Sequence, residues 1–152
     1  MPLFKRHGSD DQSTGDASRV LSERAILDRI EEEIFRADRY GRPLVILCAL
    51  PQRVPSEALP PKEMASATDA VIAQLRFSDR VGTLSDGTIV AVLPETSADV
   101  ARAVAHRIAT DLAIRSAGTN FRKWFVGTST FPDDGGDPPA IVTAAIQRAE
   151  SQ

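Results

Sequence analysis

The side chains that could take part in chemistry are concentrated in one stretch, Leu75–Thr96, which reads LRFSDRVGTLSDGTIVAVLPET. Arg76 and Asp79 stand three residues apart near its start. An arginine guanidinium can hold an anionic group through two parallel hydrogen bonds, and a carboxylate can accept hydrogen bonds from N–H groups. Asp86 and Gly87 follow in a segment typical of a tight turn. The stretch therefore contains a cation and carboxylates that could bind a polar ligand.

Other reactive centres are not indicated. Cys48 is the one cysteine and lies in the apolar run PLVILCAL, where a small buried residue is expected. His7 and His106 have no cysteine or second histidine at the spacing of a zinc site, so we expect no metal and no cofactor. Trp124 and Phe125 could offer a stacking surface, but adjacent strand residues face opposite sides and core packing is favoured. No Gly-x-Ser-x-Gly or similar nucleophile context occurs.

The first predicted element that would position these groups is a helix from Ser22 to Tyr40. Ile26, Ile30 and Ile34 repeat every four residues, as on the buried face of an amphipathic helix. Ser22 can cap its first turn, and Gly41 can end it in a left-handed conformation. The helix precedes the continuous apolar run 44–50, which predicts a buried central strand.

The later segments complete an α+β pattern. The Asp86-Gly87 pair between two short apolar runs predicts a two-residue hairpin, because both positions tolerate positive φ. The resulting order of elements is a ferredoxin-like βαββαβ core, with an antiparallel sheet, two main helices on one face, an added N-terminal helix and a closing C-terminal helix. Besides the first helix and strand, helices are predicted at 62–75, 96–112 and 140–150, and strands at 80–84, 88–93 and 123–130.

Composition limits the class of protein. With 152 residues and a hydrophobic fraction of 42%, the chain suits one domain with a real core. Residues 1–18 are rich in Gly, Ser and Asp and are predicted to be a disordered tail, which leaves 19–152 as the domain. A net charge of −3, without a clustered basic face, argues against a nucleic-acid partner. No apolar run reaches the roughly 18 residues of a membrane span, and no signal peptide is evident, so we expect a cytoplasmic protein without membrane insertion.

Four segments carry a resemblance to a known family. They are RADRYGRPL (36–44), the hairpin stretch DRVG with VLPET, the helix ADVARAVAHRI, and the strand and loop FVGTSTFPDDG. Their order and spacing resemble the GGDEF (diguanylate cyclase) family over nearly all of residues 20–150. The resemblance implies a ferredoxin-like core with added elements, in agreement with the order of elements above.

The resemblance also implies that the catalytic signature is degenerate. The family condenses two GTP molecules with the help of metal-binding carboxylates at the first-strand end and in the hairpin, since hard cations take oxygen ligands. Those positions hold Leu50, Gly87 and Thr88, none of which is an acid. The segment that binds guanine in the family is replaced by QRVPSEALPPK, and Ile146 stands where the closing helix usually has Asp. We therefore predict no enzymatic activity. The five signature positions are Ser85, Asp86, Gly87, Thr88 and Ile89.

A second family site is partly kept. An R-x-x-D motif before the signature binds cyclic di-GMP in many members, and Arg76 and Asp79 match it. Arg107 matches a further arginine that often joins that site. The alternative is that all three residues belong to a solvated charged surface.

The sequence thus leads to a catalytically inactive signalling domain with two open functions. The first is a cyclic di-GMP receptor or adaptor that uses Arg76, Asp79 and Arg107. The second is a nucleotide-free module that binds a protein partner in a bacterial signalling pathway through the former active-site face. A third hypothesis is residual activity that uses Asp86 with a rearranged metal.

Overall fold

A computed structural model describes residues 19–152, so the predicted tail at 1–18 lies outside the described residues. The described chain forms a five-stranded sheet and four helices. In chain order they are β1 (Val20–Leu21), α1 (Glu23–Tyr40), β2 (Leu44–Pro51), α2 (Pro61–Ile72), β3 (Arg80–Thr83), β4 (Ile89–Pro94), α3 (Ala98–Ser116), β5 (Trp124–Phe131) and α4 (Pro138–Glu150).

The sheet has the strand order β1-β3-β4-β2-β5. β2, β3, β4 and β5 pair in antiparallel fashion, as predicted. β1 was not predicted; it pairs with β3 in parallel, so the five-stranded sheet as a whole is mixed. β1 has two residues, too few for a hydrophobic period that sequence analysis could detect.

Helices cover both faces of the sheet. Side chains of a strand alternate between faces, so Val45 and Leu47 in β2 pack with α2 and α3, while Ile46 and Cys48 pack with α1 and α4. All residues of β2 from Leu44 to Leu50 are buried, as predicted for a central strand. The two helices that were predicted to share one face of the sheet are therefore α2 and α3. The added N-terminal helix α1 and the closing helix α4 cover the opposite face.

The helix ends follow their local sequence. Ser22 Oγ accepts a hydrogen bond from Ala25 N at 3.2 Å, and Gly41 ends α1 with φ of 65°. Ser97 caps α3 in the same way, through Val100 N at 3.3 Å. α3 continues to Ser116, one turn beyond the predicted end.

Candidate functional site

The hairpin between β3 and β4 has a three-residue loop, not the predicted two-residue one. Leu84 N donates to Thr88 O at 2.8 Å, and Gly87 N donates to Leu84 O at 3.0 Å. In this loop only Gly87, with φ of 90°, adopts positive φ. Asp86 keeps negative φ because its carboxylate accepts the Thr88 amide at 3.0 Å. The signature loop is thus a turn closed by its own aspartate.

The positions expected to bind metal in an active relative are occupied by uncharged residues, and two of the three are buried. Leu50 is 7% exposed and packs in the core layer of α1 and α4, and Thr88 is 2% exposed. A Cβ on Gly87 would lie 3.1 Å from Leu59 Cδ2, so the turn already touches the Pro-rich loop. Within residues 19–152, no group of three Asp, Glu, His or Cys side chains could hold a metal ion.

An open cleft of about 590 Å³ separates the hairpin from the Pro-rich loop. Arg53 and Asp86 face each other across it at 3.9 Å. Arg122 stabilises the Pro-rich loop by donating a hydrogen bond to Ala58 O at 3.2 Å, and it also forms an ion pair with the buried Glu63 at 3.4 Å. This ion pair joins residues far apart in the chain, so no local pattern could have indicated it.

Arg76 and Asp79 are brought together, but mainly by bonds to each other and to the protein. Arg76 Nη2 donates to Pro94 O and Thr96 Oγ1, each at 2.7 Å, and to Asp79 Oδ1 at 3.3 Å. Asp79 is 3% exposed, and its other oxygen accepts Arg76 N at 2.7 Å. We call this set of four residues the Arg76 clasp. It leaves the Arg76 side chain half-exposed and the Asp79 carboxylate buried.

Arg107 lies on α3 near the same end of α2. Its Nε donates to Gln74 Oε1 at 2.9 Å, and Gln74 is two residues before Arg76. Phe77, within the R-x-x-D motif, is 93% exposed. Phe77 was not among the predicted site residues. Its position, as a large aromatic residue in a short polar turn, could have indicated an exposed ring. Arg76 and Arg107 thus offer two cations at one end of the α2–α3 layer, whereas Phe77 lines a cleft formed with α1.

Other residues considered in the sequence have structural positions. Burial, with a smaller contribution from the charge of Asp86, raises the pKa of the Cys48 thiol to about 12. Trp124 and Phe125 are half-buried and pack on opposite faces of the sheet, as predicted. None of the helices described in 19–152 is long and apolar enough to cross a membrane.

The fold was compared with known proteins. No protein-family model and no curated protein matches the chain. Among solved structures, the active GGEEF domain of a Vibrio cholerae diguanylate cyclase is similar, with a TM-score of 0.74 and 14% identity, covering 87% of this chain and 90% of that one. The GGDEF domain of TpbB (YfiN) from Pseudomonas aeruginosa gives a TM-score of 0.73 and 17% identity, with 88% and 86% covered.

A third structure contains a ligand. The coiled coil and GGDEF domain of DgcB from Caulobacter crescentus, in complex with c-di-GMP, gives a TM-score of 0.63 and 8% identity, covering 98% of this chain and 85% of that one. These likenesses extend over most of both chains and confirm the fold expected from the sequence. The protein therefore has the α+β fold of GGDEF domains.

Proposed function

We propose that the protein is a catalytically inactive signalling domain with a GGDEF-like fold, which acts in the cytoplasm by binding rather than by synthesis. The observation that carries the proposal is the burial of Leu50 and Thr88 at positions where the resemblance requires metal-binding carboxylates. Metal and phosphate contacts supply much of the barrier reduction in phosphoryl transfer. A cleft without those carboxylates can retain its shape and still lack the chemistry.

Cyclic di-GMP is the first candidate ligand, at Arg76 and Arg107. Two half-exposed or exposed guanidiniums at one end of the α2–α3 layer suit the phosphates of such a ligand. The role of Asp79 differs from the sequence hypothesis, because its buried carboxylate holds Arg76 in place instead of facing a base. DgcB, which shares the fold, was solved with this ligand.

A protein partner is the second candidate, favoured by the exposed aromatic rings of Phe77 and Tyr40. They are 93% and 60% exposed and lie along a cleft of about 490 Å³. Arg36 and Arg42 also line this cleft. Aromatic and arginine side chains are enriched among the residues that contribute most to protein–protein affinity.

Calorimetric titration with cyclic di-GMP tests the first candidate. We expect saturable binding at micromolar concentrations, weakened about tenfold or more in Arg107→Ala, which removes one charge-assisted contact. Arg102→Ala, an exposed arginine on the same helix, is the matched control and should bind like the native protein. Arg76→Ala is less specific because it also breaks the clasp, so its thermal unfolding must be measured beside its affinity.

The absence of binding up to several hundred micromolar ligand would exclude cyclic di-GMP as the ligand and leave a protein partner as the candidate. In that case Phe77→Ser should abolish partner recovery, whereas Ile114→Ser, a serine substitution at another exposed apolar residue, should not. Incubation of concentrated protein with GTP and Mg²⁺ or Mn²⁺ tests inactivity separately. Formation of cyclic di-GMP in that assay would contradict the proposal and support the hypothesis of residual activity through Asp86.

A further inference from the structure

β5 forms one edge of the sheet, and its backbone groups alternate between β2 and solvent. Gln52 N donates to Lys123 O at 2.7 Å, so residues of odd number in this strand face β2. The N–H and C=O groups of a strand residue point to the same side, and successive residues alternate. The outer edge therefore presents the backbone of Trp124, Val126, Thr128 and Thr130.

Half of this edge is closed by the chain itself. Thr130 N donates to Asp134 Oδ2 at 2.8 Å, and Asp134 N donates to Thr130 O at 2.9 Å. Arg148 Nη1 donates to Thr128 O at 3.0 Å, and Arg148 makes two bonds of 2.7 Å to Asp134. These contacts occupy the positions that an added strand would need from the Thr128 carbonyl onward, and leave the Thr128 N–H open.

The other half of the edge is open. Among residues 19–152, no group donates a hydrogen bond to the outward C=O of Trp124 or Val126, and none accepts one from the outward N–H of Trp124, Val126 or Thr128. A groove of about 350 Å³ runs along this half, between β5 and α3. Ala105 and Ala109 line it on the α3 side, and their small side chains leave room beside the strand.

The lining of the groove includes two arginines and no carboxylate side chain. Arg102 and His106 from α3 and Arg148 from α4 line it, and none of its lining residues is acidic. Arg102 and Arg148 also pair with Asp99 and Asp134, which lie outside the lining, and their remaining N–H groups stay available for an added acceptor.

We propose that the open edge, Trp124–Thr128, binds an extended acidic segment of a partner protein, which joins the sheet as a sixth strand. Backbone hydrogen bonds to an exposed edge supply affinity in this mode of recognition, and side-chain contacts supply specificity. A second copy of the chain fits less well, because it would bring its own Arg102 to a groove whose lining contains no carboxylate side chain. The site is separate from the Arg76 clasp and does not depend on the proposed function.

Trp124 provides the measurement, since it lines the groove and is the single tryptophan of the chain. The probe is a capped peptide of about seven residues that alternates Glu and Val, long enough to cover the open half. We expect a saturable change in Trp124 fluorescence, and binding about tenfold weaker when Lys replaces Glu in the peptide. Arg102→Glu should weaken binding of the acidic peptide, whereas Arg24→Glu, an equal charge change at an exposed residue of α1, should not.

Amide hydrogen exchange measures the backbone contacts directly. The amides of Trp124, Val126 and Thr128 should become protected by the acidic peptide, and Thr128→Pro, which removes one outward N–H, should weaken binding. If the proline variant does not fold, exchange on the native protein still decides the question. The proposal is overturned if the acidic peptide gives no saturable signal or protects other amides instead. It is also overturned if the free protein proves by sedimentation to be a dimer in which these three amides are already protected.

Discussion

Replacing Leu50 by aspartate tests whether this position, where the resemblance to GGDEF domains implies a metal-binding carboxylate, can accept one. Leu50 is 7% exposed and packs in the layer between the sheet and helices α1 and α4. Loss of its buried apolar surface costs about 1.5–3 kcal/mol in the free energy of unfolding. The matched variant is Leu50→Asn, because asparagine has nearly the same shape as aspartate. It loses the same buried apolar surface and also buries an unpaired amide.

The difference between the two variants isolates the buried charge. Burial raises the pKa of an aspartate in the folded protein above its unfolded value of about 4, because the charged form is desolvated. Folding then favours the protonated form, so the aspartate variant matches the asparagine variant below about pH 4 and loses stability as pH rises. The free energy of unfolding of the aspartate variant falls by about 1.4 kcal/mol per pH unit relative to the asparagine variant. At pH 6 the aspartate variant should therefore be less stable by about 2–3 kcal/mol, if the pKa of the aspartate in the folded protein reaches that pH.

Urea unfolding of both variants between pH 4 and pH 7, with and without about 10 mM Mg²⁺, measures this gap. We expect Mg²⁺ to leave the gap unchanged, because the described residues provide no second carboxylate at Gly87 or Thr88. If Mg²⁺ stabilises the aspartate variant by about 1 kcal/mol or more, the cleft still holds a metal-binding geometry. The argument for inactivity from the burial of Leu50 would then fail.

Three further predictions concern the fold. Gly127→Ala should destabilise the protein by about 3 kcal/mol or more in urea unfolding, because a Cβ at this position would overlap the backbone of α4 and displace the helix. A loss of stability below about 0.5 kcal/mol would refute that packing. The pKa of Asp134 is lowered from the usual 3.8 to about 2, chiefly by the hydrogen bonds from Arg148. Asp134→Asn should therefore lower the free energy of unfolding by about 1–2 kcal/mol at pH 7, after allowance for the half-exposed arginine. This difference from the native protein should vanish as pH falls from about 4 to about 2. The buried Cys48, with its pKa raised to about 12, should react with a thiol reagent only when the protein unfolds; rapid reaction in native buffer would show that β2 is accessible.

The helices and the central strand could be predicted because their information is local. Ile26 and Ile30 mark the buried face of α1, and the capping serine and Gly41 mark its ends. β1 could not be predicted, since two residues carry no period and its pairing with β3 depends on the finished sheet. The hairpin loop was one residue longer than predicted, because the Asp86 side chain closes the turn without positive φ.

The candidate site could be predicted as a set of residues but not as an arrangement. The absence of acids at positions 50 and 88 is visible in the sequence, whereas the burial of both positions is a property of the packed core. The R-x-x-D motif was found, yet the bonds from Arg76 to Pro94 and Thr96 join segments about twenty residues apart. Contacts of that range follow from the sheet topology, so they could be assigned only from the structure.

The Arg76 clasp has a thermodynamic consequence for anything that binds there. A ligand that takes Arg76 Nη2 must first break the bonds to Pro94 and Thr96, and its apparent affinity falls by that cost. Thr96 lies just ahead of Ser97, the residue that caps α3, so the loss of those bonds acts on the start of a helix about 28 Å long. By linkage, if a ligand at the clasp changes the affinity of a second interaction along α3 by some factor, that interaction changes the affinity of the ligand by the same factor.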